Sequence, residues 1–189
     1  MLGMMASGPR HHGNRHGRSE EARLAVLEAA DDLLVERGFA GVTIEGIAAR
    51  AGVAKQTIYR WWAAKTDILF DALVADAAEF FIVPDHGNLG RDLRDQFRQL
   101  AAFLSRTDAG AVARALAGQA QHDPGVAARF EAEFLARERG ELPEGTDIEF
   151  AIDRLAGPVY YRLLITRQGA PPAFTDALVD HFLAGLSSA

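Results

Sequence analysis

Between Thr43 and Lys65 the chain reads TIEGIAARAGVAKQTIYRWWAAK, and few folds accommodate that order of residues. Read at helical period, Thr43 opens a short helix whose apolar side carries Ile44, Ile47 and Ala48. Ala51-Gly52-Val53 interrupts it, with glycine where a tight turn between crossing helices needs a residue that tolerates positive φ. A second helix is predicted from about Ala54 to Trp62. Ala48 is small, as required where the first helix passes close to the second, and Val53, Ile58 and Trp61 offer apolar contacts between them. A small residue, a glycine four places later, and apolar groups one, six and nine beyond it form a helix-turn-helix pattern.

The outer side of the second helix then carries Lys55, Gln56, Thr57, Tyr59 and Arg60. These side chains donate hydrogen bonds to phosphates or base edges, and none is acidic. A helix fits the major groove of DNA, so this face is a candidate reading head. A helical hairpin that binds protein shares the pattern and remains the competing reading.

The flanks narrow the choice. A preceding helix is predicted over Leu24 to Glu36, closed by a glycine stop and an aromatic plug at Gly38-Phe39. Thr43 occupies an N-cap position, where its hydroxyl satisfies an orphan backbone amide. Ala29-Ala30, Leu33-Leu34, Gly38-Phe39, Val42-Thr43, Ile47-Ala48, Ala51-Gly52-Val53, Thr57-Ile58-Tyr59 and Lys65 stand at offsets that join three helices. On these residues the stretch from about Arg23 to Leu73 resembles the tetracycline-repressor-like (TetR/AcrR) family of bacterial transcription regulators. The rest of the chain resembles that family only in length and helical character. Two departures stand out. Gly46 replaces a better helix former, and Trp61-Trp62 replaces the usual histidine or tyrosine followed by phenylalanine. Trp62 keeps an aromatic core role, whereas a phosphate contact from Trp61 has to come from its indole N–H.

Composition fits a regulator better than an enzyme. The 189 residues contain no cysteine, which removes disulfides, thiol catalysis and cysteine-ligated zinc. His11, His12 and His16 lie in a polar arm, and His86, His122 and His181 stand apart, with no pair at the i, i+4 spacing of a zinc site. The few serines lack a glycine-flanked elbow, and no phosphate-binding glycine loop is present. Acidic residues read as solvent-facing, so no catalytic pair emerges. Neither catalysis, nor a metal, nor a cofactor is expected. No apolar run approaches the length of a membrane span, and the N-terminus lacks a signal-peptide core, so a cytoplasmic location is expected. The net charge of −6 is unevenly divided: residues 1–66 carry nine Lys+Arg against seven Asp+Glu, and residues 67–189 carry eleven against nineteen. A basic end faces phosphate while an acidic end stays off it.

Three segments are expected. Residues 1–18 form a basic arm too poor in large apolar groups to order itself, with Arg15 and Arg18 nearest the first helix and placed to touch DNA. Residues 19–66 form the helix-turn-helix domain, in which Gln56, Thr57, Tyr59 and Arg60 face the groove while Thr43, Lys55, Lys65 and Trp61 reach phosphates. Residues 67–189 form a helical domain. Its helices are predicted over Asp67 to Val83, along a stripe of Leu93, Phe97, Leu100 and Leu104, over Ala109 to Ala120, from Asp123-Pro124 to Arg139, over Asp147 to Gln168 with a kink at Gly157-Pro158, and after Pro171-Pro172. With no strand-like alternation anywhere, the fold is all-α.

Two functional expectations attach to the helical domain. The last two helices are apolar on more than one face, which favours a twofold homodimer packing Ile152, Leu155, Val159, Leu163, Phe174, Leu178 and Phe182 against their mates. Two reading heads about 34 Å apart would then address a palindromic double-stranded DNA operator. The resemblance further implies a pocket for a small-molecule effector. Phe81, Phe97, Leu100, Phe103, Leu116, Phe130, Phe134, Tyr160 and Tyr161 are the residues available to line it. Taken singly, each of those aromatic and aliphatic groups also reads as plain core.

Overall fold

The computed structural model describes residues 13–82, 85–130 and 148–186, and every regular element among them is helical. The N-terminal unit contains α1 (Gly13–Gly41), α2 (Ile44–Ala51) and α3 (Lys55–Tyr59). The body contains α4 (Lys65–Phe80), α5 (Leu89–Arg106), α6 (Asp108–Ala120), α7 (Pro124–Phe130), α8 (Ile148–Tyr160) and α9 (Pro172–Leu186). Between α8 and α9 lies a π-helical turn, Tyr161–Ile165.

The first helix is longer than its apolar pattern suggests. Gly13–Arg18, expected to belong to a disordered arm, continue α1, while residues 1–12 and the side chain of Arg15 lie outside the described residues. At Gly38, where a stop was expected, φ 66 and ψ 171 break the helical run as a kink inside α1, which resumes to Gly41. The inner stripe of α1, Val26, Leu27, Ala30, Leu33 and Leu34, is buried. It packs against α2 on one side and α4 and α6 on the other. In α2, the expected inward residues Ile47 and Ala48 are buried, and Thr43 Oγ1 accepts from Gly46 N–H at 3.0 Å. A Cβ on Gly46 would lie 3.2 Å from Thr43 Oγ1 and 3.5 Å from a Leu33 methyl. A methyl there would press on the Thr43 cap while meeting Leu33 of α1 at ordinary contact distance.

In the body, α4 is enclosed: Ile68, Leu69, Phe70 and Leu73 are all fully buried. The helix α5 turns into α6 through Thr107, whose Oγ1 caps Gly110 N–H at 2.9 Å. The two helices touch so closely that a Cβ on Gly110 would sit 2.1 Å from the Phe103 carbonyl oxygen. Arg94 and Arg98 on α5 pair with Asp180 and Asp176 on α9, the latter as a fork with Oδ contacts of 2.8 and 2.6 Å. The kink expected at Pro158 takes another form. Proline stays within α8, and the ladder widens downstream, Thr166 N–H donating to Tyr161 O at 3.0 Å across five residues.

One acid lies where sequence reading expected only solvated carboxylates. Asp31 follows Leu27 by four residues and precedes Leu34 by three, so it falls on the inner stripe of α1. Its Oδ1 is buried without a hydrogen-bond partner among the described residues. Burial, followed by the charges of Asp76 on α4, Asp32 on α1 and Asp108 on α6, pushes its carboxyl up to about 7. Asp76 is raised as well, again mainly by burial.

A folded-state value raised above the unfolded one means that Asp31 contributes most below about pH 4 and that this contribution is lost as pH rises towards 7. The substitution Asp31→Asn supplies an amide that can donate to Asp76. It is expected to flatten that slope and raise unfolding free energy near pH 8 by about 1–3 kcal/mol; denaturant titrations near pH 5 and pH 8 measure both. Gly110→Ala is expected to cost about 1–3 kcal/mol through overpacking. Gly118→Ala, with nothing within 4 Å of the added methyl in the same helix, is expected to stabilise by about 0.5–1 kcal/mol.

Candidate nucleic-acid interface

The helix-turn-helix is built from its turn outward. Gly52 adopts φ 67 and ψ 29, the left-handed conformation its position required, and its N–H returns to Ala48 O. Val53 N–H also donates to Ala48 O, at 3.1 Å, which closes the end of α2 and aims the chain into α3. That helix is shorter than expected, five residues, and beyond it Trp61 and Trp62 N–H both donate to Ile58 O. Ile58 is the inward anchor at 0% exposure. Trp62 is buried, and Trp61, half-buried, meets it edge to face with centroids 5.4 Å apart.

The opposite side of α3 is open. Lys55, Gln56, Tyr59 and Arg60 are exposed, Tyr59 at 56%, and Thr57 is half-buried beside them. No acid lies on this face of α3, and Arg60 has no ion-pair partner among the described residues. Lys55 is held at 3.0 Å by Glu45 of α2. Their hydrogen bond keeps the Glu45 carboxyl below, and the Lys55 ammonium above, its ordinary range. Both groups are mostly solvated, so a phosphate can take Lys55 from Glu45 at small cost. Thr43 and Arg18 are exposed as well.

Lys65, expected to reach a phosphate, also has partners within the protomer. Its ammonium donates to Phe39 O at 2.7 Å and Val42 O at 2.9 Å and lies 4.2 Å from the centre of the Phe39 ring. Burial holds it below the ordinary lysine value. It fastens the α1–α2 corner to the start of α4, and only one of its three N–H bonds remains for a phosphate. A second set of contacts lies behind α3. Trp62 Nε1 donates to Asp71 Oδ2 at 2.8 Å, and Arg23 Nη2 approaches the same oxygen at 3.5 Å. Neither partnership has a sequence signal, since the partners lie nine and 48 residues apart, one in the α3–α4 connector and the other on α1, both reaching α4.

In the body, the residues of two further expectations are placed as follows. Of the residues assigned to a dimer seam, Leu155, Val159, Leu163 and Phe182 are buried inside the protomer. Ile152, Phe174 and Leu178 are half-buried against the same core. The apolar stripe exists, but α5 covers it from within the chain. Along α8 and its π-helical continuation, the large apolar groups left outside are Phe150, Tyr161 and Ile165, between 59% and 71% exposed. Of the expected pocket residues, Phe97, Leu100, Phe103 and Leu116 are buried. Phe81 joins Phe80 and Phe103 in an aromatic cluster with centroids 5.0–5.5 Å apart. Tyr160 is half-buried and Tyr161 faces outward. The side chain of Phe130, and Phe134 entirely, lie outside the described residues. A cleft of about 290 Å³ does open elsewhere, between the end of α4, α5 and the Ala170–Pro172 segment. Its walls include Phe80, Arg98, Gln99, Ser105 and Arg106, and none of the residues expected to line a pocket. The described residues hold no group of acids and histidines fit for a metal and no helix long and apolar enough to cross a membrane.

Known proteins share this arrangement. Residues 26–72 match the model of bacterial regulatory proteins of the tetR family, and residues 83–182 match the tetracyclin repressor-like C-terminal domain. The HTH-type transcriptional regulator YdeS of Bacillus subtilis, itself uncharacterized, is 36% identical over 184 residues, covering 90% of this chain and 92% of that one. The HTH-type transcriptional regulator AqdR of Rhodococcus erythropolis is 27% identical, covering 94% and 91%. Among solved structures, the TetR family transcription regulator SCO0332 superposes with a TM-score of 0.71 at 32% identity, over 87% of this chain and 98% of that one. These relatives are regulators rather than enzymes. Matched to the family at both its helix-turn-helix and its helical body, the chain belongs to the TetR family of transcriptional regulators and carries that family's DNA-binding helix-turn-helix.

Proposed function

We propose that the protein is a cytoplasmic, ligand-responsive repressor that binds a palindromic operator as a homodimer and leaves it when a small molecule occupies the helical body. The observation that carries the reading is the division of α3: Ile58 is fully buried, while Gln56, Tyr59 and Arg60 project outward with no acid on that face. In this reading residues 19–66 read DNA and residues 67–189 sense and pair. Gln56, Thr57, Tyr59 and Arg60 face base edges. Thr43, Lys55, the Trp61 indole and the remaining Lys65 N–H hold phosphates, with Arg15 and Arg18 following the backbone from α1. The effector is small and organic, and its response is read as release from DNA.

Pairing is assigned to the outer face of α8 and α9. Phe150, Gly157, Tyr161 and Ile165 are exposed along α8 and its π-helical continuation, and Ala173, Ala177 and Ala184 are exposed along α9. Bulky groups on one helix and small ones on the next suit close packing across a twofold axis.

Selection of duplexes from a random library tests DNA binding directly, and enrichment of a palindrome is the expected result. Arg60→Ala is expected to weaken binding to the selected duplex, and Gln56→Ala to change base preference at one position per half-site by about 1–3 kcal/mol. Equal loss on all sequences after the Gln56 change would remove it from the groove. For pairing, the double change Tyr161→Asp and Ile165→Asp is expected to give a folded monomer in sedimentation, because both side chains are exposed in the protomer. A dimer that survives it would place the seam elsewhere.

A further inference from the structure

Two carboxylates on α4 are each shared between the body and the connector that leaves the reading helix. Asp67 accepts from Ala64 N–H at Oδ2, 3.0 Å, and from Arg129 Nη1 at Oδ1, 3.1 Å. Asp71, one turn on, accepts from the Trp62 indole N–H at Oδ2, 2.8 Å, and from Arg129 Nη2 at Oδ1. Arg129 comes from α7 and lies over the Phe70 ring, 5.0 Å from its centre. One guanidinium thus closes on two carboxylates whose other oxygens hold Trp62 and Ala64, the residues that carry the chain from α3 into α4. The side chains of Arg129, Asp67 and Asp71 are 27–35% exposed, so the pairs are partly shielded from water and the geometry is constrained.

We propose that Arg129 is a positioning residue for DNA binding: through Asp67 and Asp71 it sets the orientation of the Trp62–Ala64 connector and hence of α3. Any shift of α7 relative to α4 then turns both carboxylates together and reaches the reading helix through two parallel hydrogen bonds. A planar five-donor fork on two acceptors transmits orientation as well as charge, which a lysine ammonium does not. The inference rests on α3 being the helix that meets DNA.

The test is operator binding by fluorescence anisotropy, on a duplex selected by the wild-type protein, over a range of salt. Arg129→Met keeps the length and apolar stem while removing the fork. Its operator affinity is expected to fall by about 2- to 30-fold. The slope of log K against log salt should stay unchanged, since Arg129 releases no counterion from DNA, whereas loss of a phosphate contact lowers it by about 0.9. The emission of the tryptophans should shift with it, because the Trp62 indole loses its fixed acceptor geometry. Arg129→Lys should fall between the two, and adding Asp71→Asn to Arg129→Met should cost less than the sum of the single changes. Wild-type or raised affinity in Arg129→Met, a reduced salt slope, or additive losses would overturn the proposal. Should Arg129→Met not fold, the Arg129→Lys affinity and emission decide, and wild-type values of both would overturn it. If Arg60→Ala also binds as wild type, the reading of α3 has failed; if Arg60→Ala loses binding while the Arg129 variants keep it, only the coupling has.

Discussion

Ile68, Leu69 and Phe70 are consecutive and all fully buried. Successive residues on a helix point about 100° apart, so α4 has apolar cover on nearly every side of its first turns. That constraint organises the molecule. The helix α1 lies on α4, α6 lies on both, and the short α2 and α3 hang from α1 and from the head of α4. The reading unit has little core of its own beyond Ile47, Ala48 and Ile58. Its stability is borrowed from the stripe of α1 and from Trp62, which reaches back to α4.

Polar contacts then do what apolar burial cannot. Hydrophobic contact is non-directional and would tolerate small rotations of α3 on α1. Lys65 tied to two carbonyls, Arg50 forked onto Glu36 at 2.7 and 2.6 Å, and Trp62 held by Asp71 each carry a direction. They converge around the corner from α2 to α4, so the open face of α3 is presented at one angle. The same corner is where α7 arrives through Arg129. The acid-rich contact of Asp31 with Asp76 lies further along the α1–α4 seam and is of the opposite kind, a place where burial disfavours charge.

Much of this was legible in the residues. Thr43 as N-cap, Gly52 in the left-handed turn, Ile47 and Ile58 as anchors, and the open polar face of α3 follow from local rules, because caps, turns and helical period act over a few residues. Gly38 as a break in the helical run is of the same kind. Asp31 was visible too, as an acid at an apolar stripe position, but without a partner in sequence it looked like one more surface carboxylate.

What the sequence determined, then, is local: which segments are helices, where they end and which side of each is apolar. Which neighbour covers an apolar side was decided only by the tertiary structure. Leu155, Val159 and Phe182 faced inward because α5 was available to cover them, leaving Phe150, Tyr161 and Ile165 outside. The pairs Lys65 with Phe39 and Val42, and Arg129 with Asp67 and Asp71, span 23 to 62 residues. Contacts of that range depend on how whole helices cross, and helical period carries no record of it.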